Sequence, residues 1–370
     1  MPGPCGKVRV TSRQADEAFV HQLDRRFSGR RIQNSLSCSR AFIMNSPVTD
    51  LLEIIVCPRD KQLLREAGDF LLCPKAHRYR VVEGIPILLV SEAQQTHIEG
   101  ARALLVAEGD LSHAPLLNLT LGADEIDPFV KNSIGATNGS LYQHLVGSLN
   151  AYPIPDLRIP PGDGATFLEI GCSWGRWTIA AARKGYRVVG IDPSLKGVLA
   201  ARRVFRQLGI EGHFLVADGR FLPFPDASFS RVFSYSVVEH LSKENVQIVL
   251  PEICRVLKTG GEALVQLPNV FGLRCLYHEI RRGFRETRDF EVRYWTVPEL
   301  KATFSRFVGP ARVFVDGYFS LNAQTSDVGF LPLHYRAIVY ASELLRRVSV
   351  HVPALRYVAD SLYVSALRQQ

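Results

Sequence analysis

The sequence predicts an α/β fold over its second half and more, preceded by a small β-rich unit, and three observations carry that expectation. From Thr166 onward, short apolar segments alternate with amphipathic helical stretches, the pattern of a parallel sheet with crossover helices. The first of those segments runs into a glycine turn, Glu169-Ile-Gly171-Cys172-Ser173-Trp-Gly175, which opens a helix. Further upstream, Cys57-Pro58 and Cys73-Pro74 flank a polar hairpin-like stretch, as paired turns do in a ribbon. The chain has 370 residues, 46% hydrophobic and 22% charged, enough for one large domain and a small one.

Taken from the N-terminus, residues 1–43 hold eight Lys/Arg against three Asp/Glu, so five of the eight net positive charges lie there and only three remain from Met44 onward. So diffuse an excess argues against a nucleic-acid partner, which needs a concentrated basic face. This leader is expected to be poorly structured apart from a short helix over 15–27. Two readings of it stand: translation begins at Met44, where the compact pattern starts, or the segment is a basic targeting arm. Seven scattered cysteines and no secretory pattern point to a reducing, cytoplasmic setting. The longest nearly unbroken apolar stretch, Ile85 to Val90, is far below the about 20 residues that span a bilayer, so no transmembrane segment is expected.

Residues 48–92 read as a degenerate zinc-ribbon-like domain. Its apolar entry, Leu51 to Val56, leads to Cys57-Pro-Arg-Asp60, and the second turn is Cys73-Pro-Lys-Ala-His77. A complete ribbon would carry CxxC twice; here CxxD and CxxxH leave Cys57, Asp60, Cys73 and His77 as the one possible set of four. Zinc accepts all three ligand types, although the set is poor in thiolate. The alternative is a knuckle that has lost its metal and is held by its small core. Leu51-Leu-Glu-Ile-Ile-Val-Cys-Pro, Leu72-Cys-Pro and Val82-Glu-Gly-Ile-Pro-Ile-Leu-Leu89 resemble the small ribbon family typified by the bacterial YcaR protein and the eukaryotic tRNA methyltransferase activator subunit. That resemblance implies a stabilising or substrate-guiding module that accompanies a methyltransferase. Residues 93–155 are expected to be a helical connection, with helices over 101–108 and 139–149, the latter marked by Leu141, Leu145 and Leu149.

The large domain then takes its strands in order: Phe167–Ile170, Val188–Ile191, Phe214–Ala217, Val232–Tyr235, Ala263–Leu267, Ala311–Val315 and an antiparallel seventh, Ser361–Leu367, with helices from Arg176, over Ser194–Leu208 and over Glu244–Leu257. The expected architecture is a Rossmann-like seven-stranded sheet over 156–370, whose ligand sits at the carboxyl ends of the strands. Gly171 and Gly175 let the backbone turn sharply and approach a ligand, while Cys172 and Ser173 complete the turn, Ser173 where glycine is commoner. A dinucleotide fingerprint would read GxGxxG. An acidic residue beside ExGxSxG suits a cofactor with an amino-acid tail and a sulfonium cation better than one with two phosphates. Asp192, before Pro193, can accept from both ribose hydroxyls or merely cap the next helix. Asp218 can accept from an adenine amine, with the backbone of Gly219 or Arg220 against the ring, and Ser234, on the fourth strand, is a further candidate cofactor contact.

Leu222-Pro-Phe-Pro-Asp226-Ala-Ser-Phe229, Ser234-Tyr-Ser-Val-Val-Glu-His240-Leu and Glu252-Ile-Cys-Arg-Val-Leu-Lys-Thr259-Gly-Gly261 resemble the class I S-adenosylmethionine-dependent methyltransferases of ubiquinone and menaquinone biosynthesis, over residues 160–268. Thr259 replaces the family's proline. The resemblance implies S-adenosylmethionine (SAM) as cofactor and makes Asn138, Tyr142 and His144 candidate contacts above it. Ser234-Tyr235-Ser236 stands where an amine-directed nucleic-acid enzyme would carry (Asn/Asp)-Pro-Pro-(Tyr/Phe), which argues against methylation of a base amine. Tyr235 and His240 are the candidate catalytic residues. His240 can take a proton from an acceptor, since imidazole titrates near about 6.5, or else face the core. With Ser236 where a metal ligand would stand, metal-independent catalysis is expected. Insertions at 268–295, carrying Asn269, Arg274, Tyr277, His278, Arg293 and Tyr294, and at 317–359, with a helix near Tyr335–Arg347 ending in Arg346-Arg347, are expected to cover the acceptor. That acceptor reads as a small molecule or a lipid- or glycan-type compound. The alternatives are RNA or protein methylation guided by the ribbon, and a non-catalytic SAM-binding scaffold.

Overall fold

The computed structural model describes residues 49–115, 117–288, 290–319 and 323–369; the leader, its expected helix over 15–27 and Met44 lie outside them. A single helical turn, α1 (Thr49–Leu52), leads into a four-stranded antiparallel sheet of β1 (Arg65–Ala67), β2 (Phe70–Leu72), β3 (Arg78–Val82) and β4 (Ile85–Pro86), paired in sequence order. Both Cys-Pro turns are tight knuckles. Lys61 donates its backbone N–H to the Cys57 carbonyl and Ala76 to that of Cys73, and each takes a left-handed conformation, φ 58° and 65°.

Between this sheet and the large one lie α2 (Ile98–Glu108) and α3 (Pro128–Thr137). His97 caps α2 by accepting from the Glu99 amide at 3.1 Å, and Gly109, at φ 104°, ends it. The sequence missed α3, although its start signals are plain: Asp127 caps the Phe129 and Val130 amides and Pro128 holds the first helical position. The helix expected over 139–149 is instead a short 3-10 segment, Ser140–Leu145, because Gly139 at φ 105° and Gly147 at φ 78° break the chain on either side. Leu141, Leu145 and Leu149 are buried nonetheless, so the apolar spacing reported burial correctly and helix wrongly.

The large sheet contains β5 (Thr166–Ile170), β6 (Arg187–Asp192), β7 (His213–Val216), β8 (Phe229–Ser234), β9 (Leu257–Pro268), β10 (Ala311–Gly317) and β11 (Ser361–Leu367), in the spatial order β10-β11-β9-β8-β5-β6-β7. Neighbours from β7 to β9 run parallel, and β11 is antiparallel to both β9 and β10, as the sequence predicts for the seventh strand. Near-continuous apolar runs suit strands covered on both faces. The crossover helices are α4 (Arg176–Arg183), α5 (Leu195–Gln207), α6 (Lys243–Val256) and α8 (Val297–Phe307). The two insertions contribute α7 (Leu273–Arg282) and α9 (Leu333–His351), the latter six residues longer than expected because its apolar positions continue past Arg347. Among the described residues, no helix is long and apolar enough to cross a membrane.

The ribbon is joined to the large sheet by backbone and core alike. Ile87 bridges in parallel to Val216 of β7, the Leu88 amide donates to the Val216 carbonyl at 2.7 Å, and the Val56 amide donates to the Pro223 carbonyl at 2.9 Å. Lys61 Nζ reaches Glu252 at 2.9 Å and the Leu222 carbonyl at 3.2 Å. Leu51, Ile55 and Leu71 share one apolar cluster with Leu222, Phe224 and Leu250. Each such side chain stabilises the arrangement by about 1.5–3 kcal/mol.

Candidate functional site

The glycine turn between β5 and α4 is held in the one shape its residues allow. Gly171 has φ 82°, and a Cβ there would meet the Val237 side chain at 2.2 to 3.0 Å; Gly175 has φ 84°. Ser173, between them, adopts φ 47°, the left-handed conformation that explains why glycine is usual at that place. Cys172 is buried, its thiol against the Ser173 carbonyl at 3.7 Å, and burial pushes that thiol well above its ordinary range. Trp174 donates its indole N–H to Asn138 Oδ1 at 2.8 Å, which ties the end of α3 to the turn. Tyr142 is fully buried there with the Arg176 guanidinium 5.5 Å from its ring centre, and His144 leans back on the Leu141 carbonyl at 2.9 Å.

Glu169 and Asp192 end neighbouring strands at this turn. Glu169 is buried, and burial raises its carboxyl to about 8, against a short hydrogen bond from the Thr178 hydroxyl. Asp192 accepts from the Ser173 amide at 2.9 Å and the Ser194 amide at 2.8 Å, so the carboxylate both braces the turn and caps the region before α5. Burial lifts the Asp192 carboxyl above the usual carboxylate range, opposed by those two amides and by the field of His97. Pro193 lies under the start of α2, where a Cβ on Gly100 would come within 3.4 Å of it.

At the end of β7, Asp218 accepts from the Arg220 amide at 2.9 Å and from the Arg220 guanidinium at 2.6 to 3.1 Å. The backbone N–H of Arg220 is therefore engaged by Asp218 itself. Its guanidinium also donates to the Gln94 carbonyl at 2.7 Å and to Asn245 at 3.1 Å. Gly219 packs against Ile170, 3.1 Å from where its Cβ would be. Ser234, fully buried, donates to the Ile170 carbonyl at 3.0 Å and stitches β8 to β5.

Of the two candidate catalytic residues, Tyr235 is buried and donates to Asp316 Oδ2 at 2.8 Å, its ring 4.4 Å from Trp177; burial and the nearby Asp316 carboxylate push its hydroxyl well above 10. His240 closes a 3-10 turn after β8. Its Nδ1 lies 2.8 Å from the Phe290 carbonyl and its ring stacks on Phe290 at 3.9 Å. On its other side Phe290 meets His97 edge-on at 4.6 Å. His97, Phe290 and His240 thus bring the connection before α2, the first insertion and the end of β8 together over the carboxyl edge of the sheet. Sequence reasoning missed His97, although a histidine just before a helical run at a predicted domain junction was visible as a cap. It equally missed Asp316 and the buried Arg176–Asp327 pair at 2.7 Å, whose partners lie about 150 residues apart.

Leu222-Pro-Phe-Pro-Asp226 serves architecture. Arg255 donates to the Leu222 and Phe224 carbonyls at 3.0 and 2.7 Å and pairs with Asp226 at 2.9 Å, while Pro223 receives the ribbon. In the ribbon, the ligand atoms of Cys57, Asp60, Cys73 and His77 lie within 4.8 Å of one another, the one such cluster among the described residues. Cys57 Sγ is 3.3 Å from His77 Nδ1, Cys73 Sγ is 3.2 Å from Asp60 Oδ2, and that oxygen is 3.4 Å from His77 Nδ1. Tetrahedral zinc with bonds of about 2.0–2.3 Å has ligand–ligand edges of about 3.3–3.8 Å, so the donor set fits the ion.

Residues 167–261 match the family model described as a methyltransferase domain. Among curated proteins, the chain is 28% identical over 161 residues to the 2-methyl-6-phytyl-1,4-hydroquinone methyltransferase of Synechocystis, covering 43% of this chain and 45% of that one. It is 31% identical over 101 residues to the ubiquinone biosynthesis O-methyltransferase of Agrobacterium fabrum, covering 27% and 40%. A SAM-dependent methyltransferase structure from Methanosarcina mazei superposes with a TM-score of 0.40 at 19% identity, covering 56% of this chain and 93% of that one. The chain spans less than half the length of these two curated relatives. By that match residues 167–261 are a methyltransferase domain.

Proposed function

We propose that the protein transfers a methyl group from SAM to a small-molecule or lipid- or glycan-type acceptor. One observation carries the reading: Glu169, the left-handed turn from Gly171 to Gly175, Asp192 and Asp218 stand at the carboxyl ends of the three adjacent strands β5, β6 and β7. The cofactor suits that set, because the turn leaves no room for a Cβ at Gly171 and acidic side chains end the two strands beside it. When bound, SAM supplies a methyl group already activated on sulfonium sulfur.

The chain's own residues bind and orient. Asp192 accepts from the ribose hydroxyls, Asp218 from the adenine amine, and Glu169 offers a carboxylate on the amino-acid side. Cys172, Pro193, Gly219 and Arg220 shape the surface around them, and Ser234 holds β8 against β5. Most of the acceleration then comes from in-line positioning. His240, beside Phe290 at the rim, is the group placed to hold an acceptor's proton, while Tyr235 fixes Asp316. The ribbon holds zinc through Cys57, Asp60, Cys73 and His77 as a structural ion remote in role from methyl transfer.

Calorimetric titration with SAM and its demethylated product tests the proposal. Micromolar binding is expected, weakened about tenfold or more by Asp192→Asn, which keeps an acceptor for the turn but removes the charge on the ribose hydrogen bonds. A folded wild-type protein that ignores SAM yet binds a nicotinamide dinucleotide would overturn it.

A further inference from the structure

The two insertions differ from the rest of the surface. Of the 21 exposed large apolar side chains among the described residues, 14 lie within 271–290 and 333–358. On α7, Leu273, Tyr277 and Ile280 form a single face, and these and Phe284, two residues past the helix, are each more than half exposed. On α9, Leu333, Tyr340, Leu344 and Val348 repeat at steps of seven, four and four, a second outward stripe. The two meet. Asn269, just before α7, donates to the Tyr357 and Ala359 carbonyls at 2.9 Å, and the Arg274 amide donates to Asp360 at 2.7 Å. Phe271 and Tyr357, one from each insertion, are about half exposed.

Charge follows the same boundary. Residues 271–290 carry five arginines against three acidic residues, and residues 333–358 four against one, net positive charges of two and three. The chain from Met44 onward has a net of only three, so the remainder of 44–370 outside these two segments is net acidic. An amphipathic helix with an apolar face and arginines along its flanks is the form that lies in the interface plane of an anionic bilayer. A second copy of this chain would set a net of five positive charges against five, which disfavours self-association through this face.

We propose that the outward faces of α7 and α9, with the turns that join them, are a peripheral docking surface for an anionic lipid membrane. The inference goes beyond methyl transfer and does not depend on it. Phe290 extends the first insertion to the rim beside His240, so the surface adjoins the proposed acceptor side.

Sedimentation of the full chain with vesicles of phosphatidylcholine containing about 30% phosphatidylserine, and with phosphatidylcholine alone, tests it. The protein is expected in the pellet with the anionic vesicles, less so without serine lipid, and released by high salt. Ile280→Asp with Phe284→Asp, and separately Leu344→Asp, alter exposed side chains only. Each is expected to lower the partition at least about tenfold, with the thermal midpoint and SAM calorimetry unchanged. Wild-type protein left in the supernatant overturns the proposal, as do variants that bind vesicles as well as wild type. So does a vesicle-free oligomer, seen by light scattering, that these substitutions dissolve, since the face is then a contact between copies. Loss of SAM binding by the wild type would strike the methyltransferase reading and leave this one standing.

Discussion

Glu169 makes cofactor binding and folding depend on pH in opposite directions. Its carboxyl is raised by burial to about 8, so the ligand-free protein at neutral pH carries a proton there. A cationic amino-acid tail selects the ionised form. Below about 8, each unit of pH therefore weakens SAM binding by up to about 1.4 kcal/mol, and binding at pH 6 falls up to about a hundredfold below the alkaline plateau. At pH 7 close to one proton should leave per SAM bound. For stability the sign is reversed. Between about 4.5 and 8 the folded chain holds a proton that the unfolded chain has lost, so this contribution is full below about 4.5 and is gone above about 8. Glu169→Gln should remove both slopes and weaken binding at pH 8 and above. Calorimetry in two buffers of different ionisation enthalpy counts the proton, and denaturant unfolding from pH 5 to 9 reads the stability. A wild-type Kd that stays flat from pH 6 to 8, with no buffer-dependent enthalpy, would refute the reasoning.

Other substitutions report on single features. Gly171→Ala forces a Cβ into Val237 on a left-handed residue and should destabilise by about 2–4 kcal/mol by denaturant unfolding; Val237→Ala in the same chain should recover part of the loss. His97→Ser keeps a good cap on α2 while removing the ring that faces Phe290. It should leave the thermal midpoint within a few degrees and speed release of the demethylated cofactor about tenfold; equal release rates would mean the ring serves only the cap. Purified protein should contain about one zinc per chain, lost on Cys73→Ala, and chelation should lower its melting temperature; a metal-free protein with an unchanged melting temperature would leave the knuckles held by their core alone.

The large sheet was legible because its signals are local. Each apolar run carries its own glycine, acid or cap at its end, so the strand ends that bear Glu169, Asp192 and Asp218 could be placed from spacing alone. What escaped were long-range pairings. Nothing near Tyr235 in sequence announces that Asp316 accepts its hydroxyl, and nothing near Arg220 announces the Gln94 carbonyl. The 139–149 segment failed for a different reason: its leucines match helical spacing and are buried, but Gly139 and Gly147 decide the backbone. The Leu222–Phe229 motif was the most specific match, and its backbone carbonyls and Asp226 hold Arg255 and the ribbon.

The join between Ile87-Leu88 and Val216 bears on how the chain can be divided in the laboratory or by recombination. β7 is the last strand of the large sheet on that side, and the ribbon covers its open hydrogen-bonding groups near the carboxyl end. An expression fragment starting after residue 92 would bare that border together with Leu222 and Phe224. Unpaired strand borders beside apolar surface recruit other chains. Such a fragment should collect in inclusion bodies, and co-expression with residues 44–92 as a separate peptide should return it to the soluble fraction.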